Sequence, residues 1–334
     1  MAKGLDVGTS FIVLASEGNK GKVVYKDFRD AFYVIKPTTP IATKMIEKGL
    51  SGKIFVKDDD GSFIILGKDA IEKAVERNDS AKRPMHKGVV SSKEKEARRI
   101  LTYILKEVAG QAAEQDEKLV FCIPAQPVDQ EDEDFDVGYH EDVVKSVLSD
   151  CGYDAKSINE AEALCYSELA DDDYTGVALS WGAGMVNVCV MLNGEPVLKF
   201  STTKSGDWID RMAAVATGET DSVVQAEKEN GDFTVGQDND NQVLAAVASY
   251  YDRLIDYTAK QLVDALEENK ALPKFKDAIP VVLAGGTTKA KGFVDHFKIK
   301  LEENGFPLPV KDVRHAADPL HAVARGCLIA SQIL

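Results

Sequence analysis

The sequence predicts an α/β protein in two related halves, and three observations carry that prediction. First, a short phrase occurs twice. Near the start, Gly4-Leu5-Asp6-Val7-Gly8-Thr9-Ser10 leads into the apolar run Phe11 to Ala15, the polar turn Glu17 to Gly21 and a second run, Lys22 to Tyr25. Near the middle, Val177 to Met185 leads into Val186 to Met191, the turn Asn193-Gly194-Glu195 and then Pro196 to Phe200. Both copies read strand, glycine turn, strand, turn, strand, as expected of two similar domains that each offer a glycine hairpin to one shared ligand. Second, strands and helices alternate through both halves, which is the α/β pattern. Third, 334 residues can fill one large core or two ordinary ones, and the repeat favours two.

The elements follow in order. Residues 4–35 read as three antiparallel strands. Residues 36–80 read as a small inserted subdomain: Pro37 and Pro40, a helix-like Ile41 to Gly49, and short strands Lys53 to Val56 and Ser62 to Leu66 around the turn Asp58 to Gly61. Glu94 to Ala109 has helical periodicity, with Ala97, Ile100, Leu101, Ile104, Leu105 and Val108 on one face. Lys118 to Ile123 is a buried strand stopped by Pro124. Asp142 to Cys151 is a helix ending at Gly152, Ser157 to Asn159 a short strand, and Glu160 to Leu169 a helix. After the second hairpin, Gly206-Asp207 precedes a helix through Ala216. Thr220 to Asn230 is a further helix, and Asn239 to Glu267 a long amphipathic one. Pro280 to Ala284 is a buried strand. Gly285-Gly286 opens a loop to the helix Gly292 to Glu303, and Asp318-Pro319 precedes the last helix. A strand running into Gly-Gly or Gly-x-Gly is a place where backbone N–H groups can face phosphate.

Composition excludes some functions. The net charge of −15 argues against nucleic acid as a direct partner, since phosphate binding needs concentrated Lys and Arg. The densest basic stretch, Lys93 to Arg99, is mixed with Glu94 and Glu96 and reads as a solvated helix face. Gln130 to Asp136 reads as an acidic solvated loop and helix N-terminus. Cys122, Cys151, Cys165, Cys189 and Cys327 lack metal spacing and read as buried reduced thiols of a cytosolic protein. Asp6 already belongs to a motif, which leaves no room for a signal peptide. No apolar stretch approaches the ~20 residues that span a bilayer. Leu320 to Leu334 lacks a basic face and reads as a core helix rather than a membrane-surface one.

Five segments in order are more specific than any one. They are Asp6-Val7-Gly8-Thr9-Ser10; Val120 to Ala125 followed by Asn159-Glu160-Ala161; Ser180 to Met185; Val282 to Thr288; and Ala322-Val323-Ala324-Arg325-Gly326. This set resembles the actin, sugar-kinase and heat-shock chaperone ATPase superfamily: first phosphate loop, first connecting segment, second phosphate loop, adenosine loop, second connecting segment. Within it the chain looks most like the prokaryotic actins of the MreB and MamK kind. Arg83 to Val90, Gly206-Asp207 before a helix, and Lys228-Glu229 on the next helix are similar to stretches of that family.

The resemblance implies an actin-like fold. Two related domains with mixed sheets of the ribonuclease H type, flanked by helices, would enclose a nucleotide cleft. Domain I would cover 1–155 with its insert at about 36–80. Domain II would cover 156–318 with a reduced second subdomain near 208–240, and 319–334 would return as a helix to domain I. It implies ATP or ADP with Mg²⁺ in the cleft. Gly8, Thr9 and Ser10 would meet the phosphates from one side, and Gly182, Ala183, Gly184 and Met185 from the other, small residues letting backbone approach closely. Asp6 would hold the metal, through water because Mg²⁺ keeps several waters. Gly206, Asp207, Gly285, Gly286 and Thr287 would lie against the nucleotide, with Lys228 and Glu229 beside base and ribose. Glu160 would position the attacking water, with Glu162 the weaker candidate.

Three departures stand out. Ser180 replaces the usual Asp, so metal binding is expected to be weaker or hydrolysis slower, with ATP binding kept. Ile12 stands where relatives often carry a polar side chain. Only a tight loop remains between Asn230 and Asn241, where relatives carry a small subdomain, so a longitudinal filament contact would be reduced or rebuilt. The expected activity is that of a cytoplasmic cytoskeletal protein that polymerises with itself and hydrolyses ATP slowly. Adaptor proteins are possible partners. Membrane contact is expected to be indirect or absent, since no amphipathic N-terminal extension is present. The alternatives are a non-polymerising ATPase or kinase of the superfamily, or a nucleotide-binding scaffold with little hydrolysis.

Overall fold

The computed structural model describes residues 2–18, 21–91, 94, 96–130 and 135–334. Asn19 and Lys20 of the first turn, Lys93 and Lys95 of the mixed-charge stretch, and residues 131–134 of the acidic run lie outside the described residues.

β1 (Lys3–Val7), β2 (Phe11–Glu17) and β3 (Val23–Arg29) form an antiparallel meander. The chain then turns at Asp30, and β4 (Phe32–Ile35) leaves for another sheet. Residues 4–35 therefore hold four strands in two sheets, not three in one. α1 (Pro40–Gly49) starts where Thr39 accepts the Ala42 N–H with Pro40 behind it, a favoured helix opening. β5 (Phe55–Lys57) and β6 (Phe63–Leu66) complete the small sheet β4-β6-β5, and α2 (Lys68–Val75) packs on it. The hairpin β7 (Met85–His86) and β8 (Val89–Val90) leads to α3 (Ala97–Ala109), which starts later than the periodicity suggested. β9 (Glu117–Ile123), α4 (Val137–Asp150), β10 (Tyr153–Asn159) and α5 (Glu160–Glu168) follow; α4 and β10 start earlier than expected.

The second half opens on β11 (Gly176–Trp181), β12 (Val186–Leu192) and β13 (Glu195–Thr202). α6 (Gly206–Thr217), α7 (Asp221–Asn230) and α8 (Gln242–Glu268) come next, the last two capped by Thr220 and Asn241. β14 (Ile279–Ala284), α9 (Phe293–Glu303), β15 (Val310–His315) and α10 (Ala322–Ile333) end the described chain. The loop 231–241 is tied down by the Val235 N–H on the Lys291 carbonyl and by burial of Phe233 and Val235.

The two large sheets repeat one topology. The first runs β10-β9-β1-β2-β3 and the second β13-β12-β11-β14-β15. In each, three antiparallel strands continue into two parallel ones. Alternation then sorts side chains by face. Leu5 and Val7 join Ile100, Leu101, Ile104 and Phe121 in a core under α3 and α4. Val177, Leu179 and Trp181 join Leu254, Ile255, Phe293 and Phe297 in a core under α8 and α9. Trp181 meets both phenylalanines edge-on, at 5.0 and 5.6 Å between ring centres. Each large side chain so buried contributes about 1.5–3 kcal/mol relative to exposure.

The opposite faces of both sheets share a third core. Val120 and Cys122 from one sheet and Ala178, Cys189 and Val282 from the other close on Leu164, Cys165, Val323 and Cys327. α5 and α10 thus lie between the sheets. They cross so closely that a Cβ on Gly326 would stand 1.8 Å from the Ala163 carbonyl oxygen. α10 also lies on β1, where a Cβ on Gly4 would stand 2.1 Å from the Leu328 nitrogen. All five cysteines are free and buried. Among the described residues, no helix is long and apolar enough to cross a membrane.

Candidate functional site

The close approach of α10 to β1 at Gly4 fixes what comes next on the same face of that strand, which is Asp6. It stands near the start of α10, and His321 and Val323 line the cleft beside it. The second half repeats the arrangement: Ala178 and Ser180 share a face of β11, and Ser180 meets the start of α5. There Asn159 Oδ1 accepts the N–H groups of Ala161 and Glu162, which sets Glu160 as the first residue of the helix. Asp6 from β1 and Glu160 from the start of α5 therefore face a common cleft of about 680 Å³, with Ser180 of the other sheet beside Glu160.

The two hairpins form its walls and touch each other. The Thr9 hydroxyl accepts the Gly88 N–H at 3.0 Å, and a Cβ on Gly184 would lie 2.5 Å from that hydroxyl. On the second wall three donors from two segments converge on the Gly182 carbonyl. Ser205 Oγ donates to it at 2.6 Å, Thr287 Oγ1 at 2.9 Å and the Gly206 N–H at 3.3 Å. Gly285 sits at φ +98° with its α-carbon against the Trp181 backbone, a position no side chain fits. Gly8, Thr9, Ser10, Gly182, Ala183, Gly206, Asp207, Lys228, Glu229, Gly285, Gly286 and Thr287 line the cleft with Asp6 and Glu160. Gly184 and Met185 are not among its lining residues: Gly184 packs behind Thr9, and Met185 is buried with its sulfur beside Gly88.

Several expected site residues already have protein partners. Asp207 takes Arg83 Nη1 on both oxygens, at 2.8 and 3.0 Å. Lys228 Nζ donates to Asp210 at 2.8 Å and to the Gly206 carbonyl at 3.1 Å. Glu229 accepts from Arg29 at 3.3 Å. Glu162, the weaker candidate for the water-positioning role, is absent from the cleft lining and pairs with Lys199 at 2.8 Å and Tyr166 at 2.9 Å. Ile12 is fully buried in the first core, and the cleft side of its strand is Phe11 and Val13.

Ser180 and Asn187 hold the Glu160 carboxyl between them. The Ser180 hydroxyl donates to Glu160 Oε1 at 2.6 Å, and Asn187 Nδ2 donates to Oε2 at 2.8 Å. Asn187 is oriented in turn by the Ala125 N–H on its Oδ1 at 2.9 Å. Burial, then the neighbouring Asp6 charge, push the Glu160 carboxyl up to about 8, against the smaller downward pull of the Ser180 bond. Burial likewise pushes Asp6 up to about 6, opposed by the Cys122 thiol, which donates to Oδ1 at 3.2 Å, and by His321. Burial pulls His321 down, but Asp318 and Asp27 outweigh it and raise its basicity. Two carboxyls that burial holds toward the neutral form, Glu160 further by the Asp6 charge, are a donor set that a divalent cation suits.

Sequence reasoning missed Asn187, Cys122, Arg29 and His321. Asn187 had a signal, being the polar side chain in the otherwise apolar strand Val186–Leu192. Arg29 and His321 had none, because only the fold brings β3 and the start of α10 to the cleft.

A MamK double helical filament matches this structure with a TM-score of 0.72 at 19% identity, over 100% of this chain and 99% of that one. MreB5 of Spiroplasma citri bound to AMPPNP matches with a TM-score of 0.68 at 15% identity, over 99% and 96%. The ethanolamine utilization protein EutJ from Carboxydothermus hydrogenoformans matches with a TM-score of 0.52 at 14% identity, over 98% and 89%. The fold is therefore actin-like, of the kind found in MamK and MreB. No curated protein matches the sequence. The protein family described as Volactin matches residues 1–331.

Proposed function

The chain belongs to the Volactin family, and we propose that it is a cytoskeletal subunit that binds ATP with Mg²⁺ in its cleft, assembles with further copies of itself, and hydrolyses ATP slowly to regulate assembly. One observation carries the reading. Two glycine hairpins from two sheets of one topology meet across a cleft whose facing carboxylates are Asp6 and Glu160. That MamK forms a filament and that MreB5 binds AMPPNP are facts about those proteins; they support the same reading here.

The roles follow from the chemistry. Backbone N–H groups of Gly8, Thr9 and Ser10 and of Gly182 and Ala183 would hold the phosphates from two sides. Gly206, Gly285, Gly286 and Thr287 would carry the nucleoside, with Lys228 and Glu229 at its edge. Gly184 and Met185 would act by setting the shape of the second hairpin. Asp6 would hold the metal through water, and the metal would supply charge neutralisation on the phosphates. Glu160, fixed on both oxygens by Ser180 and Asn187, would orient a water for in-line attack. A carboxyl held in its neutral form has no free base for the proton of that water, so only the ionised fraction would act, which is consistent with slow turnover. Residues 1–155 and 156–318 would move as the two domains, with 319–334 joining the first, and the subunit would work in the cytoplasm, reaching membranes only through adaptors.

The deciding experiment sediments the purified protein with ATP, with ADP and without nucleotide, and measures released phosphate in the same tubes. A pellet with ATP and slow phosphate release is expected. Phosphate without a pellet would replace the filament with a non-polymerising ATPase. ATP bound with neither would leave a nucleotide-binding scaffold, the alternative that Ser180 keeps open.

A further inference from the structure

Arg29, the last residue of β3, touches both walls of the cleft. Its Nη1 donates to Ser10 Oγ on the first hairpin at 2.8 Å. Its guanidinium carbon stands 4.0 Å from the centre of the Phe11 ring. Its Nη2 donates to Glu229 Oε2 on α7 at 3.3 Å. Glu229 is steadied by Gln225 Nε2 at 2.9 Å on its other oxygen. Ser10, Phe11, Arg29, Gln225 and Glu229 all line the cleft, so at this point its walls are one guanidinium apart.

An exposed ion pair by itself stabilises little, because two long side chains must be ordered to make it. Here the ordering is done in advance on one side. Ser10 and the Phe11 ring fix the planar group before it meets Glu229, and little further freedom is lost on closing. The Arg29 side chain is 24% exposed and that of Glu229 44%, so the contact lies at the edge of the cleft rather than in its floor. Another pair between the halves, Arg83 with Asp207, does not involve the first hairpin.

We propose that Arg29 is a latch: it closes from the first hairpin onto Glu229 over a ligand held in the cleft, and its release sets how fast that ligand enters and leaves. The ligand class, a phosphate-bearing nucleotide, rests on the function proposed above; the latch between the walls does not.

The test uses the full chain with Arg29→Ala, Glu229→Gln and both together. In the ligand-free protein, hydrogen exchange is expected to speed up in residues 8–13 and 221–230 together, by about three- to tenfold in each single variant. The double variant is expected to exceed neither single, since both remove one contact. Release of a fluorescent ATP analogue in stopped flow is expected to quicken by the same factor. Unchanged exchange in either segment, or additive effects of the two substitutions, overturns the latch whatever the nucleotide does. Faster exchange with unchanged release overturns its control of ligand exchange. Faster exchange in a protein that never binds the analogue supports the latch and overturns the nucleotide reading instead.

Discussion

Glu160 titrates far from where a free glutamate does, and this has a sign that can be measured. Its carboxyl is pushed up to about 8 from an ordinary 4.5. Between those values the metal-free folded chain holds more protons than the unfolded chain, so stability falls as pH rises across the window. Glu160→Gln removes that contribution. Melting temperatures from about pH 5 to about pH 8 in a chelator are expected to decline less steeply in the variant, Asp6 supplying the slope that remains. Parallel declines would show that Glu160 ionises normally. Ser180 makes a second case. An Asp at 180 would set a carboxylate where the hydroxyl now donates to Glu160 at 2.6 Å. Without metal, Ser180→Asp is therefore expected to lower the melting temperature. With saturating Mg²⁺ it should recover more than the parent chain does and release phosphate faster. A variant that loses stability equally with and without Mg²⁺, at an unchanged rate, would separate position 180 from the metal.

Elements that bury a full apolar face were legible from the sequence; of those that bury little, α1 and α7 were read but β15 and α2 were missed. α3 and the strands of both hairpins carry large side chains at regular spacing. β15 does not: Val310–His315 is a partly exposed edge strand whose Lys311 and Arg314 both reach Asp172. Its place depends on charge partners distant in sequence, which no local pattern reveals. α2 buries only Ala70 and Ala74, too little to raise a periodic signal. The candidate site divides the same way. The glycines and Asp6 announce themselves because backbone geometry demands them locally, whereas Arg29 and His321 are site residues only through tertiary placement. The crossing of α5 and α10 gives a prediction at this scale. Gly326→Ala sets a methyl into the Ala163 carbonyl, which is backbone and cannot rotate away. The expected cost is about 1–3 kcal/mol or more, read as a lower melting temperature, with loss of pelleting before loss of helix content. A melting temperature equal to that of the parent would show that the two helices can separate freely.

At the scale of the whole molecule, the cleft joins two cores that share no sheet. A ligand gripped by both hairpins stabilises both at once. ATP with Mg²⁺ at about 100 times its dissociation constant should add about 2.7 kcal/mol and move a single unfolding transition upward. A split into two transitions, one of them indifferent to ATP, would place the ligand on one half alone. The helix between the sheets carries a further consequence, this time for synthesis. β1 leaves the ribosome long before the helix that lies on it, for α10 comes far later in the chain, where Gln332 bonds back to Glu17 across 315 positions of sequence. At the ordinary pace of translation that gap lasts on the order of 15–60 s. Throughout that interval the face of β1 that α10 covers stays bare, so a nascent chain cannot present a finished cleft wall to another copy. The proposed polymerisation would thereby be withheld from unfinished subunits, and a polysome would not become a nucleus for filaments.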